Sequence, residues 1–261
     1  MENDLRLSVS KKKCFDQCKR QFEFSYIHKL PKKDRDYHIF GKFAHQVLQD
    51  FHQAYIDGSV APYNKVMGIA FKAALVEYKD KMTKEMIDES FQLINQYLSI
   101  VSLDRKNKVS ANVIAVEQPF NFDIAPNLIL NGMIDRVQID DDNVIHVCDY
   151  KTVKNKQYIK NDFFQLLTYA YVIMLENENI EKVRASYILL RHNFEYVTTE
   201  FNKDTILEIK QKYIKCAQDI ISEKEYKPNP TRLCAYCDYL DLCPEGKGVN
   251  YNPSVHGEVS W

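Results

Sequence analysis

The spacing of apolar residues predicts that the first part of the chain is helical. Three segments repeat apolar positions at three- and four-residue steps, the period of an amphipathic helix: residues 37–56, 64–78 and 83–101. A helix before them is predicted from Ser10, a suitable N-cap, to the residues preceding Pro31. The loop after this helix is basic and contains Lys29, Lys32, Lys33 and Arg35.

After residue 109 the pattern changes to runs of β-branched and apolar residues, which are typical of strands. The predicted strands are residues 113–122, 128–137, 144–147, 184–190 and 195–200. Helices are predicted at residues 163–175 and 206–221, and the segment from residue 227 onward is predicted to be mostly loop. This order indicates one α/β domain over residues 1–261, with a helical insertion at 46–108.

Composition narrows the class of protein. The chain is 45% hydrophobic with a formal net charge of -1, so a disordered protein is excluded. No apolar run reaches the roughly 18 residues of a membrane span, and the first residues show no secretory signal. A soluble protein located in the cytoplasm is therefore expected. The near-neutral charge is unusual for a nucleic-acid-binding domain, because such domains are commonly basic as a whole.

Two aspartates and a lysine lie in the predicted central strands. Asp149 and Lys151 are two residues apart and so lie on the same face of a strand. Counting back through the hairpin places Asp135 within about one position of Asp149, and alignment of the two requires a bulge. Converging carboxylates in an apolar sheet need a positive partner, and Mg²⁺ or Mn²⁺ with oxygen ligands would supply it. The bare Asp-x-Lys triplet alone is better explained by a surface hairpin with an ordinary salt bridge, because short motifs often match by chance.

Further motifs favour the interpretation as a metal site, and together they resemble the RecB-type branch of the PD-(D/E)xK nuclease superfamily. The matching segments, in family order over nearly the whole chain, are Gly41-Lys-Phe-Ala-His45, Glu117-Gln-Pro-Phe120, Gly132-Met-Ile-Asp135-Arg136, Asp149-Tyr-Lys151-Thr152 and Gln165-Leu-Leu-Thr-Tyr169. The resemblance implies a restriction-endonuclease-like core, in which a mixed central sheet is flanked by helices. CRISPR-associated RecB-like nucleases and AddB-type nuclease domains are similar.

The resemblance also implies roles for individual residues. The metal ligands would be His45, Asp135, Asp149 and the backbone carbonyl of Tyr150. Lys151 would be the catalytic lysine, and Gln165 and Tyr169 would match a Gln-x-x-x-Tyr motif that holds the lysine or a substrate phosphate. Glu117 would either assist the metal or merely cap a pair of strands. The residues expected to contact DNA are Arg20, Lys32, Lys33, Lys154, Gln165 and Tyr169.

The cysteines form a second candidate metal site. Cys234, Cys237 and Cys243 have the spacing of metal ligands in a loop, and they need a fourth ligand. The resemblance implies a [4Fe-4S] cluster that joins the N-terminal segment to the cysteine-rich segment 227–261, with Cys18 as the fourth ligand. Cys14 is the alternative fourth ligand, and a structural Zn²⁺ is the alternative metal. Cys148 and Cys216 lie in apolar patterns and are predicted to be core residues.

These observations predict a metal-dependent DNA nuclease that hydrolyses phosphodiesters with a metal-activated water. The family resemblance favours exonuclease action on single-stranded DNA or DNA ends, in recombination, repair or CRISPR-type processing. The partners expected are DNA and a protein of recombination, replication or CRISPR adaptation. No Walker A motif occurs in the sequence, so no ATP-driven motor is predicted. The alternative is a non-catalytic DNA-end-binding or assembly subunit that a metal cluster stabilises.

Overall fold

A mixed β-sheet lies at the centre of the protein. The computed structural model describes residues 4–103, 112–159 and 162–248. Within them the sheet has six strands: β1 (Leu5–Leu7), β2 (Val113–Ala125), β3 (Leu128–Ile139), β4 (Ile145–Lys151), β5 (Lys182–Leu189) and β6 (Glu195–Asn202). The helices are α1 (Val9–Gln17), α2 (Lys19–Phe22), α3 (Asp36–Ile56), α4 (Tyr63–Tyr78), α5 (Lys84–Leu103), α6 (Phe164–Glu176) and α7 (Lys203–Ser222). The predicted α/β fold with a mixed sheet flanked by helices is confirmed.

Strand β3 organises the sheet because its two edges are used differently. One edge pairs antiparallel with β2 along nearly its whole length. The other edge pairs with β1 at residues 128–130 and with β4 only from Arg136 to Ile139. Among the described strands none pairs with this edge at residues 131–135, which we call the open edge of β3. Strand β4 continues into a parallel pair with β5, and α6 makes the connection that parallel strands require.

The sheet separates two hydrophobic cores. On one side α1, α6 and α7 pack on it, and Leu166 of α6 and Ile209 of α7 are completely buried. On the other side α3 contributes Phe43 and Phe51, which pack with α4, α5 and the strand residue Ile188. Burial of each such side chain stabilises the fold by about 1.5–3 kcal/mol, which fixes both helical layers against the sheet.

A polar group inside the second core links three elements. Arg136 of β3 is 1% exposed, and its Nη1 donates to the Tyr97 hydroxyl of α5 at 3.3 Å. The same hydroxyl lies 2.6 Å from Nε2 of His52 on α3. Burial, and after it the charge of Arg136, lowers the pKa of His52 well below its ordinary value, so this histidine is neutral. Hydrogen bonding of this kind fixes the position of α3 and α5 relative to β3.

The N-terminal segment differs from its prediction. Ser8, not Ser10, caps α1 by accepting from the Lys11 N–H at 3.2 Å, and α1 ends at Gln17 because Cys18 is extended. A short α2 and a π-helical turn at Glu23–Ile27 replace the single predicted helix. Strand β1 was missed, since three residues are too few to show an alternating pattern.

Two predicted segments lie partly outside the described residues, at 104–108 and 249–261. The assignment of residues 46–108 as an insertion therefore stays a prediction, although α4 and α5 do lie between α3 and β2 in the chain. Among the described residues, no helix combines the length and the apolar character that crossing a bilayer requires.

Substitution of Gly132 by alanine tests the packing of the β2–β3 ribbon. A Cβ at this position would lie 2.4 Å from the ring of Phe120, which is buried and packs on Tyr169. We expect Gly132→Ala to lower the free energy of unfolding by about 1–3 kcal/mol in urea titrations, because the ring must move. The matched control is Gly68→Ala on α4, where a Cβ meets no atom within 4 Å. This control should raise stability by about 1 kcal/mol, and equal effects of the two changes would contradict the packing argument.

Candidate metal centre

The candidate site begins where β3 and β4 separate. Their last paired residues are Arg136 and Cys148, and continuation of this register places Asp135 opposite Asp149 without the bulge that the sequence suggested. Beyond that pair, the backbone N–H of Tyr150 donates to Oδ2 of Asp135 at 2.8 Å. The carboxylate of Asp135 thus takes the place of a backbone partner for Tyr150. We call the space between β3 and β4 beyond the pair Arg136–Cys148 the gap, and Asp135 lies at its edge.

His45 reaches the same gap from α3. Gly41 lies one turn before it and near the end of β4, since a Cβ there would make an ordinary contact of 3.4 Å with Oγ1 of Thr152. His45 Nε2 lies 3.0 Å from the Tyr150 carbonyl oxygen, and Nδ1 lies 3.4 Å from Oδ2 of Asp135. When Nε2 carries the proton and donates to that carbonyl, the lone pair of Nδ1 faces the carboxylate. This arrangement of two acceptors suits a cation.

Glu117 completes a group of three metal-ligand side chains. The pairs Val116–Arg136 and Gln118–Ile134 place it opposite Asp135 on β2. One ligand atom from each of His45, Glu117 and Asp135 lies within 4.8 Å of the others. The backbone of Glu117 has a φ of 44°, which is strained for a residue with a side chain in the middle of a strand. Such strain persists only where the surrounding structure enforces it, and here it accompanies the candidate ligand.

Asp149 lies beside this group and is held by a separate network. Its Oδ1 accepts from Nε2 of Gln165 at 2.5 Å and from the Tyr169 hydroxyl at 3.3 Å. Gln165 also accepts from Nζ of Lys151 at 3.0 Å through its Oε1 atom. The motif residues of α6 therefore position both the aspartate and the lysine. The i,i+4 spacing of Gln165 and Tyr169 places them on one face of the helix, where a hydrogen bond of 2.7 Å joins them.

The electrostatics of the site fit a divalent cation. Asp149 is 2% exposed, and its Oδ2 lies 2.6 Å from the Lys151 ammonium without a hydrogen bond of good geometry. Burial, and after it the charge of Asp149, raises the pKa of Asp135 to about 7. Burial raises the pKa of Glu117 as well, and Asp149 adds to this effect. Two carboxylates whose pKa is raised in the free protein, beside a third that is buried, form a donor set of the kind that Mg²⁺ or Mn²⁺ binds.

Tyr187 is a site residue that the sequence reasoning missed. It lies opposite Asp149 in the parallel β4–β5 pair, and its ring centroid is 5.2 Å from Nζ of Lys151. Its hydroxyl donates to the backbone carbonyl of Asp162 at 2.9 Å. No local signal marks this tyrosine, because the register of parallel strands cannot be counted through the helix that connects them.

The basic residues predicted to bind DNA differ in their surroundings. Arg20 lies 2.5 Å from Glu23, and Lys33 lies 2.7 Å from Asp241, so both charges are already paired. Lys32 is exposed and has no carboxylate within 4.0 Å among the described residues, and Lys154 is exposed in the loop after β4. The four basic residues therefore differ in whether a carboxylate already pairs with them or they are exposed, and their role in DNA binding stays a prediction.

The cysteines meet in a pocket away from the carboxylates. Cys18, Cys234, Cys237 and Cys243 all line a space of about 490 Å³, a volume that includes its open mouth. Cys14 is not among the lining residues and instead packs against the first core. The backbone N–H of Asn229 points at Sγ of Cys18 (3.5 Å), and that of Thr231 points at Sγ of Cys234 (3.3 Å). The pocket thus joins the N-terminal segment to the C-terminal one.

Comparison with known proteins adds independent information. A family model described as the PD-(D/E)XK nuclease superfamily matches residues 6–244. An uncharacterized protein of Rickettsia bellii (strain RML369-C) is 24% identical over 232 residues, which are 78% of this chain and 27% of that protein. The chain therefore spans about a quarter of the length of this relative.

One solved structure shares the fold, and a second aligns less closely. The crystal structure of a candidate exonuclease from Eubacterium rectale aligns with a TM-score of 0.55 at 9% identity, covering 97% of this chain and 94% of that one. The crystal structure of SSO0001 aligns with a TM-score of 0.44 at 15% identity, covering 94% and 88% of the two chains. Because the family model extends from β1 to the last of the three clustered cysteines, this chain belongs to the PD-(D/E)XK nuclease superfamily.

Proposed function

We propose that this protein is a metal-dependent deoxyribonuclease, and that it acts as an exonuclease on single-stranded DNA or DNA ends. The observation that carries the proposal is the convergence of His45, Glu117 and Asp135 within 4.8 Å, beside an Asp149 that α6 holds next to Lys151. The name of the Eubacterium rectale structure is consistent with exonuclease action. Recombination, repair and CRISPR-type processing are the pathways that the sequence resemblance suggests.

The proposed ligands are the carboxylates of Asp135, Glu117 and Asp149, with His45 and the Tyr150 carbonyl. Mg²⁺ or Mn²⁺ would supply Lewis acidity toward the phosphate and would favour ionisation of a water molecule. Lys151 would orient the attacking water and stabilise negative charge that develops on the phosphate. Gln165 and Tyr169 would keep Asp149 and Lys151 in place through the hydrogen bonds that they already make.

We further propose that the cysteine pocket holds a [4Fe-4S] cluster whose ligands are Cys18, Cys234, Cys237 and Cys243. Among the described residues, no three of these sulfur atoms lie within 4.8 Å of one another. A tetrahedral zinc ion, with Zn–S bonds of about 2.3 Å, is the alternative occupant of this pocket. Backbone N–H groups directed at Cys18 and Cys234 would further stabilise thiolate ligands.

Loss of the lysine tests the nuclease proposal. Lys151→Ala should lower the cleavage rate of labelled single-stranded DNA in Mn²⁺ by about 10²–10³-fold, because it removes charge stabilisation at the phosphate. The matched control is Lys182→Ala, which removes a lysine paired with Glu200 at the far edge of the sheet and should leave the rate unchanged. Equal and undetectable cleavage by the wild type and both variants would favour a non-catalytic DNA-binding protein. Cleavage of circular single strands as fast as linear ones would contradict exonuclease action.

The carboxylate environment predicts a pH-dependent stability of the metal-free protein. The pKa of Asp135 rises on folding from its ordinary value of 3.8 to about 7. Between these values the folded chain binds more protons than the unfolded chain, so the free energy of unfolding should fall as pH rises from about 4 to 7. Asp135→Asn should flatten this slope, which can reach about 1.4 kcal/mol per pH unit. Denaturant titrations in EDTA at several pH values measure how the free energy of unfolding changes with pH.

Added Mn²⁺ provides the control for the pH prediction. At pH 8 the metal should stabilise the wild type, because a cation compensates the ionised carboxylates, but it should have little effect on Asp135→Asn. An unchanged slope in the variant, or equal stabilisation of both proteins by Mn²⁺, would argue against this aspartate as a ligand.

Single cysteine substitutions test the cluster. Protein purified without oxygen should be brown and contain iron and acid-labile sulfide, and Cys18→Ser or Cys234→Ser should lose most of both. Cys14→Ser should retain them, because Cys14 lies outside the pocket and burial raises the pKa of its thiol to about 12. Stoichiometric zinc without iron in the anaerobic wild type would refute the cluster. If Cys14→Ser lost its iron while Cys18→Ser kept it, the fourth ligand would be Cys14 and not Cys18.

A further inference from the structure

A group of basic side chains surrounds Tyr26 on the N-terminal segment. Nζ of Lys11 lies 5.5 Å from the Tyr26 ring centroid, and Nζ of Lys32 lies 5.9 Å from it. Lys11 also donates to the backbone carbonyl of Arg6 at 2.9 Å. Arg6 and Lys29 are close enough that their charges act on Lys11. We call Arg6, Lys11, Lys29 and Lys32 the cationic patch.

The patch carries positive charge that the described residues do not neutralise. None of its four cationic groups has a carboxylate within 4.0 Å in the described part of the chain. Neighbouring basic residues are paired, for example Lys12 with Asp16 at 2.5 Å and Lys13 with Asp162 at 2.6 Å. Burial, and after it repulsion by Arg6 and Lys29, lowers the pKa of Lys11. Unneutralised, mutually repelling cations around an aromatic ring are a recognition surface for an anion.

The backbone of Lys29 is left-handed, which guides the choice of a test substitution. Lys29 has a φ of 51°, at the end of the π-helical turn where the Leu30 N–H donates to the Phe24 carbonyl at 2.9 Å. Glycine is the preferred residue in this left-handed conformation, because a Cβ is unfavourable there. Replacement of Lys29 by glycine therefore suits the local backbone.

The location of the patch relates it to the metal centre. Arg6 lies opposite Ile129 on β3, and its Nη1 donates to Oδ1 of Asn121 on β2 at 2.8 Å. Asp135 lies six residues farther along β3, a distance of about 20 Å at the rise of a strand. The open edge of β3, residues 131–135, occupies most of the interval. A DNA strand of several nucleotides spans this distance, and about six do so if its bases are stacked at 3.4 Å as in a duplex.

We infer that the cationic patch binds the phosphate backbone of a single DNA strand several nucleotides away from the phosphodiester at the metal centre. The strand would run beside the open edge of β3. This inference rests on the proposed nuclease function and names the part of the protein that would retain a longer substrate. The inference predicts that strands too short to reach the cationic patch bind only at the metal centre. Longer strands contact both sites and therefore bind more tightly.

The test removes two patch cations without disturbing the fold. In Lys29→Gly/Lys32→Ala the glycine relieves the left-handed backbone, so the melting temperature should not fall. Binding of a fluorescent 20-nucleotide single strand is measured by anisotropy in EDTA at several salt concentrations. Affinity should fall about tenfold at 0.1 M salt, and the slope of log K against log salt should decrease by about 1.4, since each lost phosphate contact accounts for about 0.7.

The matched control is Lys72→Ala/Lys84→Ala, which removes the same charge from exposed lysines of α4 and α5. It should leave both the affinity and the salt slope near those of the wild type. An effect as large as that of the patch variant would show a general dependence on net charge and would overturn the inference. An unchanged affinity in the patch variant would overturn it too.

A cleavage measurement in Mn²⁺ separates this inference from the proposed function. The patch variant should raise KM for the 20-nucleotide strand about tenfold but leave cleavage of the p-nitrophenyl ester of thymidine monophosphate unchanged, because that ester occupies only the metal centre. Absence of cleavage by the wild type would refute the nuclease proposal while the binding measurement still decides on the patch. Equal loss on both substrates would refute the patch as a remote binding surface.

Discussion

The separation of β3 and β4 beyond the pair Arg136–Cys148 is the constraint on which the candidate site depends. A continued ladder would satisfy the Tyr150 backbone with another backbone and would leave no room between the strands. Instead Asp135 accepts from the Tyr150 N–H, and His45 approaches the carbonyl of the same residue. Backbone groups must be paired when buried, so side chains that replace the ladder are held firmly. The gap therefore concentrates ligand atoms while the backbone N–H and carbonyl of Tyr150 still have side-chain partners.

The same gap explains why bringing these carboxylates together is electrostatically unfavourable in the metal-free protein. Asp135 and Glu117 converge beside Asp149 in a largely buried site, where burial and then the charge of Asp149 raise the pKa of both Asp135 and Glu117. Lys151 offsets this only in part, because its ammonium contacts Asp149 while Asp135 lies with His45. A site that is unfavourable when empty gains more from a bound cation. This favours metal binding over a structural salt bridge as the reason for the residues' arrangement.

The N-terminal segment connects the two proposed metal sites and the cationic patch. Cys18 lies on the cysteine pocket, while Lys11 and Tyr26 border the patch, and β1 pairs with β3. The end of α1 at Cys18 and the π-helical turn at Glu23–Ile27 determine where Cys18 and Tyr26 lie relative to each other. A metal group that tied Cys18 to the C-terminal cysteines would therefore also fix the surface proposed to carry DNA.

The sequence by itself determined the fold class and the residue types of the candidate site. The helical period of α3 to α5, the β-branched strands and the motifs around Asp135, Asp149 and Gln165 are local signals that can be read along the chain. Only the tertiary structure decided which of these side chains meet. The opposition of Glu117 and Asp135, the contact of Tyr187 with Lys151 and the position of Cys18, rather than Cys14, on the cysteine pocket depend on strand register and helix breaks. The pairing of Lys33 with Asp241 depends on the packing of segments that are distant in the chain. Long-range pairing has no local signature, because it is fixed by the free energy of the whole packed domain.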